Sequence, residues 1–508
     1  MLRRVKFWVA IAWVLCTSAL ARAAEAPASP FPPALDSYQD KQLSLGAKLR
    51  HRATAEPLNL VATIIFGLAI IHTFLAPKIM HVAHRWRDEH LERMRQRGPE
   101  PRREDAVEDV SFKAKVAHFF GEVEAVFGIW VIPLLFAFLI LKDWKTAEDY
   151  VTNAVHFTEP MFVVVIMAIA ATRPILLAAE RAMRFVARLG GGGPAASWFS
   201  ILTIGPLLGS FITEPAAMTI SALLLARSFY ELRPPARFAY ATLGLLFVNV
   251  SIGGTLTHFA APPVLMVARP WGWDTSFMFM HFGWRAALAI GVSTLVTYLL
   301  FRKELTSLAA RGPVYDVEQP DEDAARTGAQ LLPLPSWIVL VHVAFMAWTV
   351  LNAHHPALFI GGFMFFLGFT RATASYQSRV DLKAPLLVGF FLGGLVIHGG
   401  LQLWWIGPTL GHLSEQPLFI GSTVLTAFND NALITYLGTL VPTLEPNMKM
   451  ALVQGAVTGG GLTVIANAPN PVGQALLGSF FDHAVRPWRL FVGAALPTLI
   501  AVAAFRLF

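Results

Sequence analysis

Two acidic residues set inside apolar sequence define the chemistry open to this 508-residue chain. Asp430 lies in FNDNALITYLGTL, residues 428–440, flanked by Asn429 and Asn431. Glu214 lies in FITEPAAMTISALL, residues 211–224, directly after Thr213. A charge at mid-bilayer costs at least about 2.5 kcal/mol on the mildest scale, so an acid kept there marks a pathway or a site. Each stretch is followed by a glycine break, GGTLTHFAAPP from Gly253 and GGGLTVIANAPNP from Gly459. Glycines at that depth point to a helix unwound to expose its carbonyls, which is tolerated only inside protein or beside water. A cation shedding its water needs several oxygen ligands. Carbonyls near Gly253, Gly254, Gly460 and Gly461 can supply some; Thr213, Thr257, Asn429, Asn431, Thr463 and Asn467 can supply others. A desolvated carboxylate holds its proton until an arriving cation expels it, which is enough for cation/proton exchange. Asp430, in the denser polar set and opposite Asn467, is expected to be the shared carboxylate, with Glu214 a second site or its partner. The competing reading is that both acids cap half-helices, whose N-termini favour anions. Capping does not explain an acid at both positions.

The elements that must position these residues occur twice. Phe211 matches Phe428, and Thr213 and Glu214 fall where Asp430 and Asn431 fall. Gly253, Gly254, Leu256 and Thr257 match Gly459, Gly460, Leu462 and Thr463. The order in each half is a polar hairpin followed by a glycine break, an internal repeat of the kind used in ion-coupled transporters.

Composition agrees with a membrane setting. The chain is 55% apolar and only 14% charged, far below the quarter expected of a soluble protein. The formal net charge of +7 belongs to loops between apolar runs and does not call for nucleic acid. One cysteine, Cys16, leaves no disulfide and no cysteine metal site. Residues 1–26 read as a secretory signal, with Arg3, Arg4 and Lys6 before an apolar run; an uncleaved anchor is the second reading. Residues 27–57 read as an extracytoplasmic tail. Ten apolar segments follow, near 58–79, 116–141, 157–178, 238–268, 276–302, 334–352, 356–371, 384–405, 448–478 and 488–508. Each approaches the roughly 20 residues that cross hydrocarbon.

Charge orients them. Arg85, Arg87, Arg93, Arg95 and Arg97 place the 80–115 segment in the cytoplasm, and Arg181, Arg184 and Arg188 return the chain there. Hairpin 197–226, followed by Arg227, Arg233 and Arg237, then enters from the cytoplasm. Hairpin 416–443 has almost no positive flank and enters from outside. Residue 318 is expected inside; residue 412 and both termini are expected outside. Residues 58–302 and 334–508, joined by the cytoplasmic linker 303–333, then form inverted-topology repeats of five spans and one re-entrant hairpin each. The fold expected is an all-α polytopic membrane protein.

GSFITEPA, GGTLTHFAAPP, FNDNA and GGGLTVIANAPNP resemble motifs of the ion transporter superfamily, in particular its sodium/proton antiporter branch. The resemblance covers residues 58–508. It implies a bacterial inner-membrane secondary transporter exchanging sodium or another monovalent cation for a proton, without cofactor, in contact with lipid, and compatible with a homodimer. Carboxylate carriers of the group have a Ser-Asn-Thr signature at each hairpin; here residues 213–215 are Thr-Glu-Pro and 429–431 are Asn-Asp-Asn. The alternative is an anion carrier of the same fold, for arsenite, dicarboxylate or sulfate, which would want arginine or bare helix N-termini.

The remaining candidates are weaker. His258 beside the first break is either a proton shuttle or a packed, hydrogen-bonded histidine, and its counterpart is Val464. Glu122 and Glu124 start the second span at the interface. His81 and His84 with Asp88 and Glu89 have zinc-like spacing in a charged, solvated loop. His398 either lines a cavity or packs. Gly190–Gly193 lacks the Lys-Ser or Lys-Thr of a phosphate loop. No GxSxG or HExxH occurs, so nothing points to an enzyme.

Overall fold

The computed structural model describes residues 31–97, 111–310, 332–410, 413–481 and 485–508. The expected signal segment and residues 318 and 412 lie outside them. Among the described residues every regular element is a helix. Among the described residues seven helices are long and apolar enough to cross a membrane, from Pro57–Met94 to Pro487–Leu507. Lipid offers backbone amides no partner, so such sequence satisfies them within the helix. The chain is an all-α polytopic membrane protein. Ser336–Leu351 and Pro356–Ala372 are shorter apolar helices on the segments expected at 334–352 and 356–371.

Besides the two that carry the glycine breaks, two expected spans are not single helices. Segment 116–141 is cut at Glu122, whose extended backbone separates Phe112–Gly121 from Val123–Ala125 and Val126–Leu141. The Glu122 carboxylate lies 3.3 Å from the His118 ring. Segment 157–178 ends as Thr158–Ala170, and Pro174 lies in the first turn of a separate helix, Arg173–Leu189. Proline fits that turn because its missing N–H would be unpaired there anyway.

The chain gathers into two compact units. One holds the described residues up to Phe157 with Leu387–Thr409; the other holds Thr158–Leu386 with Leu410–Phe508. Each draws on both halves of the sequence.

In the first unit, residues 31–56 fold against the helices instead of trailing. Arg52 is buried and grips Asp40 with two nitrogens, at 2.6 and 3.0 Å, while a third donates to the Trp404 carbonyl at 2.8 Å. Lys142 donates to Glu56 at 2.7 Å. The Arg52 guanidinium holds the Asp40 carboxyl below the usual carboxylate range. A depressed folded value means the stabilisation is present above the unfolded value, about 4, and is lost as pH falls through the folded one. Breaking a buried pair from one side costs about 3–5 kcal/mol. Asp40→Asn should therefore lower the thermal midpoint of the detergent-purified protein at pH 7, and the gap should close in acid. Equal midpoints at pH 7 would show that the pair contributes nothing.

The second unit is built around helix Ala236–Gly253, whose Leu243, Leu245, Leu246, Phe247 and Val248 are fully covered. A helix apolar on every side is one surrounded on every side. Around it stand two hairpins, and it is itself the first arm of one of two broken helices. The first hairpin has arms Pro194–Ile212 and Glu214–Ser228, the second Glu415–Phe428 and Asn431–Thr439. The first broken helix is Ala236–Gly253 with Pro262–Trp271, the second Pro446–Gly459 with Asn470–Leu477. Each break opens on glycines, which weaken a helix by about 1 kcal/mol apiece. Each resumes at prolines, which suit the start of a helix, where their missing N–H leaves no bond unmade.

The packing is reciprocal. The first arm of each hairpin packs on the first arm of the following broken helix. The second arms cross over: Glu214–Ser228 packs on Asn470–Leu477, and Asn431–Thr439 packs on Pro262–Trp271. Hairpin tips and helix breaks are thereby brought together.

Candidate functional site

The first hairpin turns on one residue. Thr213 has φ +74°, a left-handed value that a β-branched side chain rarely adopts. Strain of this kind costs about 1–3 kcal/mol and persists only where the surroundings enforce it. The second hairpin turns on two residues in ordinary extended conformations, Asn429 and Asp430.

Glu214 opens the second arm of the first hairpin and is wholly buried. Its Oε2 accepts a hydrogen bond from Asn467 Nδ2 at 2.9 Å, while its Oε1 has no hydrogen-bond partner. A Cβ placed on Gly254 would lie 2.5 Å from that Oε1. The carboxylate therefore sits between the glycine of the first break and the asparagine of the second.

Asn431 occupies the equivalent place in the second hairpin. It is wholly buried, and neither side-chain amide atom has a hydrogen-bond partner. It faces Gly460, whose added Cβ would come 3.0 Å from Asn431 Nδ2 and collide with Ser251 Oγ. The pair Glu214–Gly254 is thus repeated as Asn431–Gly460, with the acid replaced by an amide.

The threonines of the breaks repeat as well. Thr257 Oγ1 donates to the Ser210 carbonyl at 2.6 Å, and Thr463 Oγ1 donates to the Ala427 carbonyl at 2.8 Å. Each ties a break to the end of the first arm of its own hairpin. Thr213 Oγ1, by contrast, is buried without a hydrogen-bond partner, as is Asn467 Oδ1. Gly253 and Gly461 serve close approach: an added Cβ would collide with the Pro206 carbonyl and the Val248 backbone respectively.

Asp430 is only half-buried, like Asn429. Its Oδ1 accepts the Ala432 N–H at 2.8 Å and so caps the following helix. Its charge remains within reach of Glu214. His258 is placed in a cleft of about 310 Å³ lined by Arg269, Asp274 and His354 among others, with its Nδ1 2.7 Å from Thr275 Oγ1. Neither Glu214 nor Asp430 lines that cleft.

Three residues absent from the expected set hold the breaks open. Ser210 Oγ donates to the Gly253 carbonyl at 2.6 Å and accepts the Leu256 N–H at 2.9 Å. Asn470 Nδ2 donates to the carbonyls of Gly460 and Thr463 at 2.7 and 2.8 Å. Ser251 Oγ donates to the Val457 carbonyl at 2.7 Å. The signal was present, since Ser210 and Asn470 stand in the quoted motifs, but composition cannot separate a stitch from a ligand.

Among the described residues no group of three or more His, Cys, Asp or Glu is placed to hold a metal, His81 and His84 included. What is gathered at the tips is one fully buried carboxylate with hydroxyl and amide oxygens. Such a donor set suits a hard cation rather than a soft transition metal.

Residues 57–508 match the family described as "Putative Na+/H+ antiporter". The chain belongs to this antiporter family. No curated protein matches it. The antiporter match begins at Pro57, the first residue of the first long helix, and contains both hairpins and both breaks. An antiporter of this family is a multi-pass transporter, not an enzyme, and takes a cation and a proton as its substrates.

Proposed function

We propose that the protein exchanges a monovalent cation, sodium or lithium, for a proton at Glu214. The observation that carries this reading is the Glu214 carboxylate itself, wholly buried, with one oxygen held by Asn467 and the other unpartnered beside Gly254. An ionised carboxylate out of reach of water needs a cation beside it; a protonated one does not. The site therefore takes either, and never both. Thr213 Oγ1 and Asn467 Oδ1 are the nearest candidates for further ligands, with carbonyls around Gly253, Gly254, Gly460 and Gly461. Thr257 and Thr463 keep the breaks in place. Asn429 and Asp430, less buried, draw the cation in, and Asn431 is the uncharged counterpart of Glu214. His258 adjoins Thr257 and opens on a cleft, a position suited to handing protons toward the first break.

The reciprocal packing supports inverted-topology repeats at 58–302 and 334–508. We extend this to a bacterial inner-membrane protein with a signal at 1–26, a tail at 27–57, a cytoplasmic linker at 303–333 and both termini outside. An anion carrier is disfavoured, because no arginine or lysine is among the side chains gathered at the tips and breaks.

The test is proteoliposomes carrying a trapped pH dye. External sodium or lithium should make the interior alkaline, as protons leave against entering cation. Sulfate or dicarboxylate gradients in the absence of these cations should not. A response confined to the anion gradients would overturn the reading.

A further inference from the structure

The helix Arg173–Leu189 is a segment that the span expected at 157–178 did not foresee. Its inner face, Ile175, Ala179, Met183 and Ala187, is buried. That face lies on the first arm of the first hairpin, where Ser200 Oγ donates to the Met183 carbonyl at 2.7 Å. Its outer face carries Arg181, Phe185, Arg188 and Leu189, spaced so that all four share one stripe. Phe185 is 63% exposed and Leu189 is 74% exposed. Arg184, on the edge of the stripe, is paired with Glu180. The helix stops at Gly190, where Gly191 and Gly192 take left-handed φ values of +92° and +69° that only glycine adopts at no cost. The glycine run is thus a helix stop leading into the hairpin.

A helix with one face on protein and a basic, aromatic outer face is built for the plane where headgroups meet acyl chains. Phe185 and Leu189 suit the acyl boundary, and long arginine side chains reach from there to phosphate. We propose that Arg181 and Arg188, with Phe185 and Leu189, form a binding surface for anionic phospholipid on the cytoplasmic leaflet, seated on the hairpin that carries Thr213 and Glu214. The occupant follows from charge complementarity: two exposed guanidiniums and two exposed large apolar side chains on one stripe fit a lipid with an anionic headgroup. This holds whatever ion the hairpin handles.

The experiment uses the full chain in vesicles, with Cys16→Ser and Leu189→Cys carrying a fluorophore. Quenching by spin-labelled phosphatidylglycerol is compared with quenching by spin-labelled phosphatidylcholine. Phosphatidylglycerol should quench at the lower mole fraction, with a preference of about fivefold for each arginine at low salt. High salt should reduce that preference. Arg181→Gln with Arg188→Gln should bring the two lipids to parity, whereas Lys at both positions should keep most of the difference. Equal quenching by both lipids in the parent, or an unchanged preference in the Gln pair, would overturn the proposal. Absence of quenching by either lipid would also overturn it, showing this face turned to water or covered by protein.

Discussion

Glu214→Gln should reduce sodium-driven proton movement to the level of protein-free liposomes while leaving the protein inserted and folded. Glutamine keeps the volume and can still accept from Asn467 Nδ2, so the 2.9 Å contact between the halves of the sequence survives. What disappears is the only fully buried carboxylate among the residues gathered at the tips and breaks. Without it nothing there can trade one positive charge for another. Binding should fall with transport. At a sodium concentration 100 times Kd, the parent should gain about 2.7 kcal/mol of stability, and the variant almost none. Because cation and proton compete, the parent's sodium-dependent gain should also shrink as pH is lowered.

Asp430 supplies the internal contrast. Asparagine is as good an N-cap as aspartate, so Asp430→Asn leaves the cap to Ala432 in place. It removes a half-buried charge from the surroundings of Glu214 and should weaken cation affinity while exchange persists. The opposite pattern, with exchange lost in Asp430→Asn and retained in Glu214→Gln, would return the role to Asp430.

The two acids look alike in sequence, and the reason they differ is a matter of backbone. A one-residue turn at Thr213 makes Glu214 the first residue of its helix and carries its side chain inward. A two-residue turn leaves Asp430 outside the helix as its cap and moves Asn431 to the inward place. That count of turn residues is set by how each hairpin packs, which no local pattern reports. Other features were legible because their causes are local. Glycines followed eight to ten residues later by prolines force the breaks near 253 and 459, and polar residues inside apolar runs mark the tips. The correspondence of Gly254 with Gly460 was also readable, and each glycine faces the tip residue of its own half. The crossing of Asn467 to Glu214 was not, because it joins residues 253 apart in sequence. The stitching by Ser210 and Asn470 stayed hidden for a different reason. A small polar residue near a break reads the same whether it holds a carbonyl or a cation. In the first unit, no period in the sequence revealed that 31–56 would dock through Arg52 and Asp40, since a single buried ion pair leaves no pattern.

Gly254→Ala should cost most of the transport activity, and Gly254→Leu all of it, with normal insertion in both. One methyl group is enough because an added Cβ would lie 2.5 Å from Glu214 Oε1, 2.7 Å from its Cγ and 2.9 Å from the Ala261 Cβ. The carboxylate is the flexible partner and must yield. It then leaves Asn467, or loses the side on which a cation would approach. Gly460→Leu should fail for the matching reason, as its Cβ collides with Ser251 Oγ and crowds Asn431. Gly461→Ala is the control for a merely structural glycine. Its Cβ would collide with the Val248 backbone, which cannot step aside, so protein yield and thermal midpoint should fall with activity. The measurements that separate these cases are the sodium-dependent thermal shift and the midpoint without sodium. For Gly254→Ala the shift should vanish while the midpoint moves little; for Gly461→Ala the midpoint itself should drop. If Gly254→Ala transports normally, the glycine serves only to let helices approach, and the link between the break and Glu214 is lost with it.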